Sequence, residues 1–434
     1  MATLDHTHDP NRRSWVQTAN DGATDFPIQN LPLGVFFRPG EAPRGGVAIG
    51  DQIFDLAAGN RLGLFSGLAA EAAGAASGPS LNPLMALGRR HSSALRVSLS
   101  DLLRSSGPDS ERVRQLAAQL LVPMREAGLE VPAAIGAFSD FSCSTYHTGR
   151  MGGGTPRPVF EQLPVAYNGR ASSVRPSGAP IHRPLGLFGP AGAEPHYGAE
   201  PWMDFELEFG AFVGPGNALG APIPMAQAED HLFGYCLVND WSARGIQFFE
   251  SALGPFLGKS FLTTISPWVV TAEALAPFRV PAPRVAGERQ PPAHLDSAAN
   301  RAEGGLDIEL TAWLQTERMR RDGAGAARIV RANFKHMFWT MAQMLTHHAG
   351  NGCNLSPGDL IASGTVSGPE EESRACLAEI NGRGQTPLHL PNGETRTWLE
   401  DGDEISFAGR ARRDGFVAIG FGPCAGRIEP ALNR

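Results

Sequence analysis

Short apolar segments followed by periodic apolar positions predict strands and then helices in the first part of the chain. Apolar residues lie on both sides of Gly50-Asp51, a pair typical of tight turns, so residues 47–54 are predicted to form a β-hairpin. Residues 81–128 change to helical periodicity, and one helix is predicted to begin at Pro108-Asp109. The pattern therefore predicts a sheet followed by helices in this part.

The rest of the chain is predicted to be rich in short strands, with one long helix. That helix covers about residues 333–349, where apolar side chains recur at helical spacing and Gly350 can end it. Its methionine-rich face is interpreted as core, because methionine fills irregular gaps between packed elements. Residues 281–304 are rich in proline and alanine and are expected to form a surface excursion. The other predicted elements are strands at residues 205–213, 235–239 and 261–270 and a short helix at residues 226–233.

Length and composition favour a globular protein of two domains. A chain of 434 residues is long for one core, and the pattern changes near Val131-Pro132, so we predict domains at residues 1–130 and 131–434. Charged residues make up 19% and hydrophobic residues 42%, which argues against disorder. The 52 glycines and 35 prolines favour turns and short strands over long helices. The fold class is therefore predicted as mixed β or α+β.

Charge, hydropathy and cysteine spacing argue against several classes of protein. A net charge of −7 gives no reason to expect nucleic acid as a partner. No apolar run approaches the roughly 18–20 residues of a membrane span, and the first residues lack the apolar core of a signal peptide. The 5 cysteines are scattered and contain no Cys-x-x-Cys pair, so neither a disulfide framework nor a thiolate zinc site is indicated. We expect a cytoplasmic protein without nucleic-acid or membrane partners.

Two acidic residues on one predicted strand are the first candidates for a metal site. Glu206 and Glu208 are two positions apart, so their carboxylates face the same side of a strand. A solvated strand face is the common explanation for such a pair, but Phe205, Leu207 and Phe209 make the other face apolar. Two partly buried acids repel each other unless a cation or a proton lies between them. The pattern supports a cation site and a solvated face about equally.

Two further acids and a rare lysine extend this candidate site. Asp240 ends a buried strand, where a carboxylate is costly unless it binds a metal or pairs with a cation, and Arg244 is an equally good candidate partner. Asp140 lies upstream in Phe-Ser-Asp-Phe. Lys259 and Lys335 are the only lysines among 37 basic residues, which suggests that Lys259 has a role arginine cannot fill. Acids able to bind a hard cation beside such a lysine predict a metal-assisted active site.

His147 is the best candidate for a general base, because it lies in a loop of small residues that follows Asp140. His347 and His348 end the long predicted helix and are interpreted as partners of its C-terminal dipole. Two glycine-rich segments miss the phosphate-loop and dinucleotide-binding spacings by one residue each. Nucleotide binding is therefore not expected.

Longer motifs resemble the fumarylacetoacetate hydrolase family over nearly the whole chain. Those in the first part are FPIQNLPLGVF at residues 26–36 and GVAIGDQIFDL at 46–56. Those in the second part are more specific: LPVAYNGRASSV at 163–174, NDWSARGIQ at 239–247, GPFLGKSFLTTISPWVV at 254–270, LTHHAGNGCNL at 345–355 and SGTVSGPE at 363–370. Matches this long and this well ordered are hard to obtain by chance.

The resemblance implies an N-terminal SH3-like β-barrel domain followed by a larger C-terminal mixed β-roll domain that forms a homodimer. It implies hydrolysis of a carbon–carbon bond in a β-diketo acid, most simply fumarylacetoacetate to fumarate and acetoacetate, the last step of tyrosine and phenylalanine catabolism. It also implies bound Mg²⁺ or Ca²⁺, with chelation of the two diketone oxygens by the metal. The alternative is a related hydratase, decarboxylase or isomerase acting on a 2-keto acid, although such relatives usually lack the large N-terminal domain.

The resemblance further implies a role for each matching residue. His147 falls on the catalytic base and Glu379 on the acid that orients it, while Lys259, Arg244 and Gln247 fall on groups that stabilise developing negative charge. Those implied to contact substrate are Ser142, Arg244, Gln247 and Thr365, and those implied to hold or adjoin the metal are Asp140, Glu206, Glu208, Asp240, Lys259 and Thr263.

The chain departs from the family pattern at its substrate contacts. Ser142 and Ser251 stand where the family has tyrosines, so two aromatic hydroxyls are missing from the expected contacts. The loop after His147 is short and glycine-rich, which leaves both Arg150 and Arg157 as candidates for the family's substrate arginine. The reaction type is thus better supported by the sequence than the substrate.

Overall fold

The computed structural model describes residues 3–190, 194–284 and 288–432. The first part of the chain builds an antiparallel sheet of five strands, which are β1 Leu33–Phe37, β2 Arg44–Ile49, β3 Gln52–Asp55, β4 Leu121–Pro123 and β5 Gly128–Glu130. They lie in the order β4-β3-β2-β1-β5. The helices inserted between β3 and β4 are α1 Leu56–Arg61, α2 Gly67–Ala75, α3 Asn82–Leu87, α4 Arg89–Leu103, α5 Ser110–Gln115 and α6 Ala117–Leu120.

The predicted hairpin at residues 47–54 is confirmed, because β2 and β3 pair around Gly50. Gly50 has a φ of 58°, a left-handed conformation that costs glycine little, and a Cβ there would come within 2.3 Å of the Thr18 hydroxyl. The turn residue is therefore fixed both by backbone conformation and by close packing.

A sheet of eight strands forms the centre of the second part and carries most of the candidate residues. Its strands are β6 Phe138–Phe141, β7 Ala166–Gly169, β8 Val174–Pro176, β13 Leu207–Val213, β14 Leu232–Asp240, β16 Thr263–Ile265, β17 Val270–Thr271 and β22 Leu360–Ala362. They lie in the order β7-β6-β22-β13-β14-β16-β8, and β17 pairs with β14.

A second sheet, of six strands, packs against the first. Its strands are β9 Ile181–His182, β20 Ile308–Gln315, β21 Ala327–Asn333, β25 Glu404–Ala411, β26 Ile419–Gly420 and β27 Cys424–Glu429. They lie in the order β21-β20-β25-β27-β9, and β26 pairs with β25.

Short strand pairs and helices complete the described part of the chain. The pairs are β10 Leu185–Phe188 with β11 His196–Ala199, β12 Met203–Asp204 with β15 Ser242–Ala243, β18 Arg279–Val280 with β19 Gly305–Leu306, and β23 Leu388–His389 with β24 Thr395–Arg396. The helices are α7 Thr145–Met151, α8 Val159–Gln162, α9 Arg244–Glu250, α10 Leu257–Ser260, α11 Ala298–Glu303, α12 Glu317–Arg321, α13 Met341–Ala349 and α14 Leu377–Ile380.

Strands β13 and β14 are buried along their whole length because both faces of their sheet are covered. Phe209 belongs to the core shared with the six-stranded sheet, where Leu310 and Phe407 lie. Phe212 and Val238 belong instead to the core shared with the N-terminal domain. The fold is therefore mixed α/β, with an N-terminal domain packed against a larger C-terminal domain. The boundary near residue 130 stays a prediction.

Several predicted element boundaries are wrong, and local capping explains the largest error. The long helix predicted at residues 333–349 begins only at Met341, because the Thr340 side chain accepts a hydrogen bond from the Gln343 backbone and caps it there. A 3₁₀ turn at Phe334–His336 precedes it.

Other boundaries differ by smaller amounts. The helix predicted from Pro108-Asp109 divides into α5 and α6, and the strand region at residues 261–270 divides into β16 and β17. The helix predicted at residues 226–233 is a 3₁₀ turn at Ala228–His231, and the strand predicted from residue 205 begins at Leu207. The predicted excursion at residues 281–304 includes residues 285–287, which lie outside the described residues. In its described part, helix α11 buries Asn300. None of the helices among the described residues combines the length and apolarity needed to cross a bilayer.

Candidate active site

Strand pairing brings the four predicted acids together. β13 pairs antiparallel with β14, with Leu207 opposite Asn239, so Glu206 and Asp240 lie at the same end of the sheet. β6 runs parallel to β22 beside β13, which places Asp140 next to them. One carboxylate oxygen of each of the four acids lies within 4.8 Å of the others; the four are Asp140, Glu206, Glu208 and Asp240.

The four carboxylates are buried, and two of them have too few partners for their charge. Burial, and then the negative charge of Asp240, raise the pKa of Asp140 well above its usual range. Burial and the charges of Asp140 and Asp240 do the same to the pKa of Glu208. When both acids are ionised, neither oxygen of Glu208 has a donor among the described residues, whereas a proton on one acid would join Glu208 to Asp140. A carboxylate in that position binds a cation or keeps a proton.

Lys259 stabilises the other side of the cluster. Its ammonium contacts Oε2 of Glu206 and lies 2.8 Å from Oδ2 of Asp240. Although burial alone would lower the pKa of Lys259, the charges of Asp240 and Glu206 raise it, so the side chain stays protonated. Burial alone would raise the pKa of Glu206, but Lys259 and Arg244 outweigh it and lower that pKa to about 2. This buried ion-pair network is the reason a compact ammonium is needed here.

The alternative pairing of Arg244 with Asp240 is wrong. Arg244 Nη2 lies 2.8 Å from both Asp204 and Glu206. Asp240 is bound instead by Lys259, by the Thr263 hydroxyl at 3.0 Å and by the Tyr167 hydroxyl at 2.7 Å. Among the hydrogen bonds of the described residues, Thr263 reaches the four acids only through the Asp240 carboxylate.

The donor set fits a divalent cation. The orphaned oxygens of Glu208 and the raised pKa of two of the acids show that the protein's own cations do not balance the cluster. Hard cations such as Mg²⁺ and Ca²⁺ take carboxylate oxygens as ligands. Five buried carboxylates face two buried cations, namely Asp140, Asp204, Glu206, Glu208 and Asp240 against Lys259 and Arg244.

A histidine–glutamate pair lies beside the carboxylate cluster. The Ser144 side chain accepts a hydrogen bond from the His147 backbone and begins helix α7. His147 Nδ1 lies 2.6 Å from Glu379 Oε1, and the Ser367 hydroxyl donates to the same oxygen at 2.5 Å. Burial alone would raise the pKa of Glu379, but His147 and Ser367 help to lower it, so its carboxylate is ionised. An ionised acceptor on Nδ1 leaves the Nε2 lone pair of the imidazole free.

One cavity of about 370 Å³ connects these groups. His147, Glu206 and Lys259 line it together, and Arg157 lies at its wall while Arg150 does not. The other predicted site residues that line it are Asp140, Ser142, Glu208, Gln247 and Thr365. Ser251 lies outside this lining, at the exposed end of α9, where its hydroxyl donates to Phe248 at 3.3 Å.

Sequence reasoning gave no role to three polar residues of the site. Tyr167 lines the cavity and donates to Asp240, Asp204 holds Arg244, and Ser367 donates to Glu379. Tyr167 and Ser367 lie inside motifs that carry the family resemblance, at 163–174 and 363–370. Their position in those motifs could have identified them as site residues.

The fold and the site together define an α/β protein whose larger domain holds a His–Glu pair and a carboxylate cluster in one cavity, an arrangement suited to hydrolysis. A family model described as Fumarylacetoacetate (FAA) hydrolase C-terminal matches residues 136–429, and one described as Fumarylacetoacetase N-terminal matches residues 29–132. The chain belongs to the fumarylacetoacetate hydrolase family, which confirms the resemblance found in the sequence.

Individual relatives agree with this assignment. The chain is 46% identical to the fumarylacetoacetase of Bos taurus, over 97% of this chain and 99% of the relative. It is also 46% identical to that of Homo sapiens, over 96% of this chain and 99% of the relative. The solved structure of a fumarylacetoacetate hydrolase from psychrophilic Exiguobacterium antarcticum matches with a TM-score of 0.50 at 17% identity, covering 92% of this chain and 99% of that one. The last match shows a shared fold.

Proposed function

We propose that this protein hydrolyses fumarylacetoacetate to fumarate and acetoacetate. The observation that carries the proposal is the common cavity, where His147, paired with Glu379, faces the carboxylate cluster and Lys259. The full-length similarity to fumarylacetoacetases supports the choice of substrate. The reaction belongs to tyrosine and phenylalanine catabolism.

A divalent cation, Mg²⁺ or Ca²⁺, is part of the proposal. Asp140, Glu206, Glu208 and Asp240 would hold it, with Lys259 and Thr263 adjoining it through Asp240. When bound, such a cation would act as a Lewis acid and polarise the carbonyl groups of a β-diketone. Lys259 stays beside the cation site because two of the same carboxylates fix its ammonium.

His147 acts as the general base. Nε2 removes a proton from water while the water oxygen bonds to the carbonyl carbon next to the alkene, and Glu379 stabilises the imidazolium that forms. The carbon–carbon bond to the neighbouring methylene then breaks, and its electron pair goes to that methylene carbon as an enolate. The imidazolium returns the proton to this carbon, so water is consumed and fumarate and acetoacetate are formed.

Cationic and polar groups around the cavity bind the substrate and the developing charge. Lys259 and Gln247 line the cavity and offer donors to the oxyanion and the enolate, and Arg244 fixes Gln247 through a hydrogen bond of 3.0 Å. Arg157 and Thr365 are proposed to bind the substrate carboxylates. Arg157 lines the cavity, with its guanidinium carbon 5.5 Å from the centre of the Phe160 ring, so it places a positive charge at the cavity wall.

Ser142 is also proposed to contact substrate, because it lines the same cavity. Its side chain is much smaller than the tyrosine that the family pattern has there, and this leaves room against the substrate chain. The cavity volume of about 370 Å³ is sufficient for a small dicarboxylic diketo acid.

We further propose an SH3-like arrangement of the N-terminal sheet and a cytoplasmic location.

A homodimer is also proposed. Large apolar side chains are exposed on the β10–β11 pair, where Leu187 is 46% and Tyr197 60% accessible, and such patches commonly mark protein interfaces. Light scattering on the purified protein measures the oligomeric state, and a monomer at micromolar concentration would contradict the dimer.

The decay of enol absorbance on adding fumarylacetoacetate tests the function, with simple acylpyruvates as comparison substrates. We expect turnover of fumarylacetoacetate in the presence of Mg²⁺, and a loss of about 10²–10⁴ in kcat for His147→Ala. His389→Ala is the matched control, because His389 is exposed and does not line the cavity. Turnover of acylpyruvates alone would overturn the substrate, and full activity of His147→Ala would overturn the mechanism.

A further inference from the structure

The two arginines that follow His147 occupy different environments. Arg157 lines the cavity, and its guanidinium carbon lies 5.5 Å from the centre of the Phe160 ring. Arg150 is not among the residues that line the cavity and contacts Glu379 instead, with its Nη1 atom 3.0 Å from Oε2 of that carboxylate. The structure therefore separates a cavity arginine from one that contacts the partner of the base.

Arg150 joins three segments of the site. Its Nη2 donates to the backbone carbonyls of Gly368 at 2.9 Å and Pro369 at 3.2 Å, in the segment that follows Ser367. Its Nη1 donates to Glu379 of α14. The arginine belongs to α7, so one guanidinium ties this helix to α14 and to the loop that carries Ser367.

The two oxygens of the Glu379 carboxylate have separate partners. Oε1 accepts from Ser367 and lies against His147. Oε2 accepts from Arg150, and the hydrogen bonds of the described residues give it no other donor. The side chain of Glu379 is fully buried, so an ionised carboxylate there depends on these partners. Without Arg150, half of the carboxylate would face no donor.

Helix α7 explains why base and arginine act on one carboxylate. His147 and Arg150 are three residues apart, so their side chains project from the same face of the helix. That face is directed at Glu379, because both side chains reach it. A single helical turn thus fixes the base and the clamp of its partner as one unit.

We propose that Arg150 is a positioning residue that clamps Glu379 so that His147 keeps its proton on Nδ1 and directs Nε2 into the cavity. This inference rests on the proposed function for its kinetic consequence. It assigns the substrate-binding role to Arg157 and removes Arg150 from the substrate contacts. Lysine cannot fully replace this arginine, because one ammonium group lacks the planar fork that lets Nη1 bind Glu379 while Nη2 binds the carbonyls of Gly368 and Pro369.

Kinetics of Arg150 and Arg157 variants test the assignment. We expect Arg150→Met to lower kcat by on the order of 10- to 100-fold with KM little changed, because orienting partners of catalytic histidines carry effects of this size. Arg150→Lys should recover part of that loss. Arg157→Met should instead raise KM more than it lowers kcat, and Arg321→Met, at a 71% exposed side chain, should leave both unchanged. An increase in KM without loss of kcat in Arg150→Met would overturn the proposal.

A double-mutant cycle shows whether Arg150 acts through Glu379. In a Glu379→Gln background, Arg150→Met should change kcat by less than about twofold, because the carboxylate that the arginine clamps is already neutral. Independent losses that multiply in the double variant would show that Arg150 acts elsewhere and would contradict the proposal.

A spectroscopic readout keeps the inference separate from the choice of substrate. Histidine labelled with ¹⁵N reports which ring nitrogen carries the proton, and His147→Asn identifies the signal. We expect the Nδ1-protonated tautomer in the wild type, a mixture in Arg150→Met and partial recovery in Arg150→Lys. If the wild type does not turn over fumarylacetoacetate, the proposed function is wrong. The spectrum still tests the role of Arg150 in that case, because the tautomer of His147 is observed without substrate. An unchanged tautomer in Arg150→Met would refute it.

Discussion

Replacing Lys259 by methionine removes the charge that holds two buried carboxylates, and it should strongly destabilise the protein at neutral pH. Lys259 is 4% exposed and forms ion pairs with Glu206 and Asp240. Breaking a buried ion pair by removing one partner costs about 3–5 kcal/mol, because the remaining charge is left uncompensated. Lys259 first and then Arg244 lower the pKa of Glu206 from 4.5 to about 2, which corresponds to about 3 kcal/mol for these partners together. Lys259 is the larger of the two contributions, so the cost expected for its removal is of the same order.

Urea unfolding without divalent cations, followed by tryptophan fluorescence, measures this loss. Lys335→Met is the matched control, because the other lysine of the chain is 41% exposed and its pair with Asp307 at 3.1 Å is worth under about 1 kcal/mol. A loss below about 1 kcal/mol for Lys259→Met, equal to the control, would refute the reasoning.

The pH dependence of this loss provides a second check. The folded pKa of Glu206 lies below the unfolded value, so the ion pair contributes its full stability above about pH 4.5 and loses it as pH falls toward 2. The part of the stability difference between wild type and Lys259→Met that comes from Glu206 should therefore shrink as the pH falls from about 4.5 toward 2. A difference that grows on acidification would contradict the assigned ion pairs.

Two further predictions follow from the same cluster. Adding Mg²⁺ or Ca²⁺ should raise the midpoint of thermal unfolding, and this increase should be smaller in Glu208→Gln, which should itself be more stable without metal because Glu208 has no donor of its own. Differential scanning fluorimetry with and without EDTA measures both effects, and an equal increase in wild type and Glu208→Gln would contradict the proposed metal site. Tyr167→Phe removes the hydroxyl that donates to Asp240 at 2.7 Å and should lower the free energy of unfolding in urea by about 1.5–3 kcal/mol. Tyr197→Phe, at an exposed side chain, should leave it nearly unchanged, and equal effects of the two substitutions would contradict the hydrogen bond between Tyr167 and Asp240.

Much of the central sheet could be predicted from the sequence because its burial leaves a clear pattern. The apolar residues around Glu206 and Glu208 indicated a strand with both acids on one side, and the structure has them in one cluster. Helix boundaries were predicted less well, since they depend on caps such as Thr340 rather than on periodicity. Local pattern thus determines the strands better than the helix boundaries.

Partners of the site residues could not be predicted from local sequence, because they depend on which strands lie side by side. Arg244 is four residues from Asp240 but pairs with Asp204 and Glu206. Glu379 lies 232 positions from His147, and only the family resemblance suggested their pairing. The charge balance of the cluster likewise appears only when all its members are placed in three dimensions.

Hydrolysis in water enriched in ¹⁸O tests the central claim most directly. Attack of a water activated by His147 on the carbonyl next to the alkene should place one ¹⁸O in the new carboxylate of fumarate, at a rate that falls about 10²–10⁴-fold in His147→Ala. Mass spectrometry of fumarate after a single turnover should show a gain of one label per molecule. Fumarate without the label, or a hydrated product in place of fumarate and acetoacetate, would contradict the account.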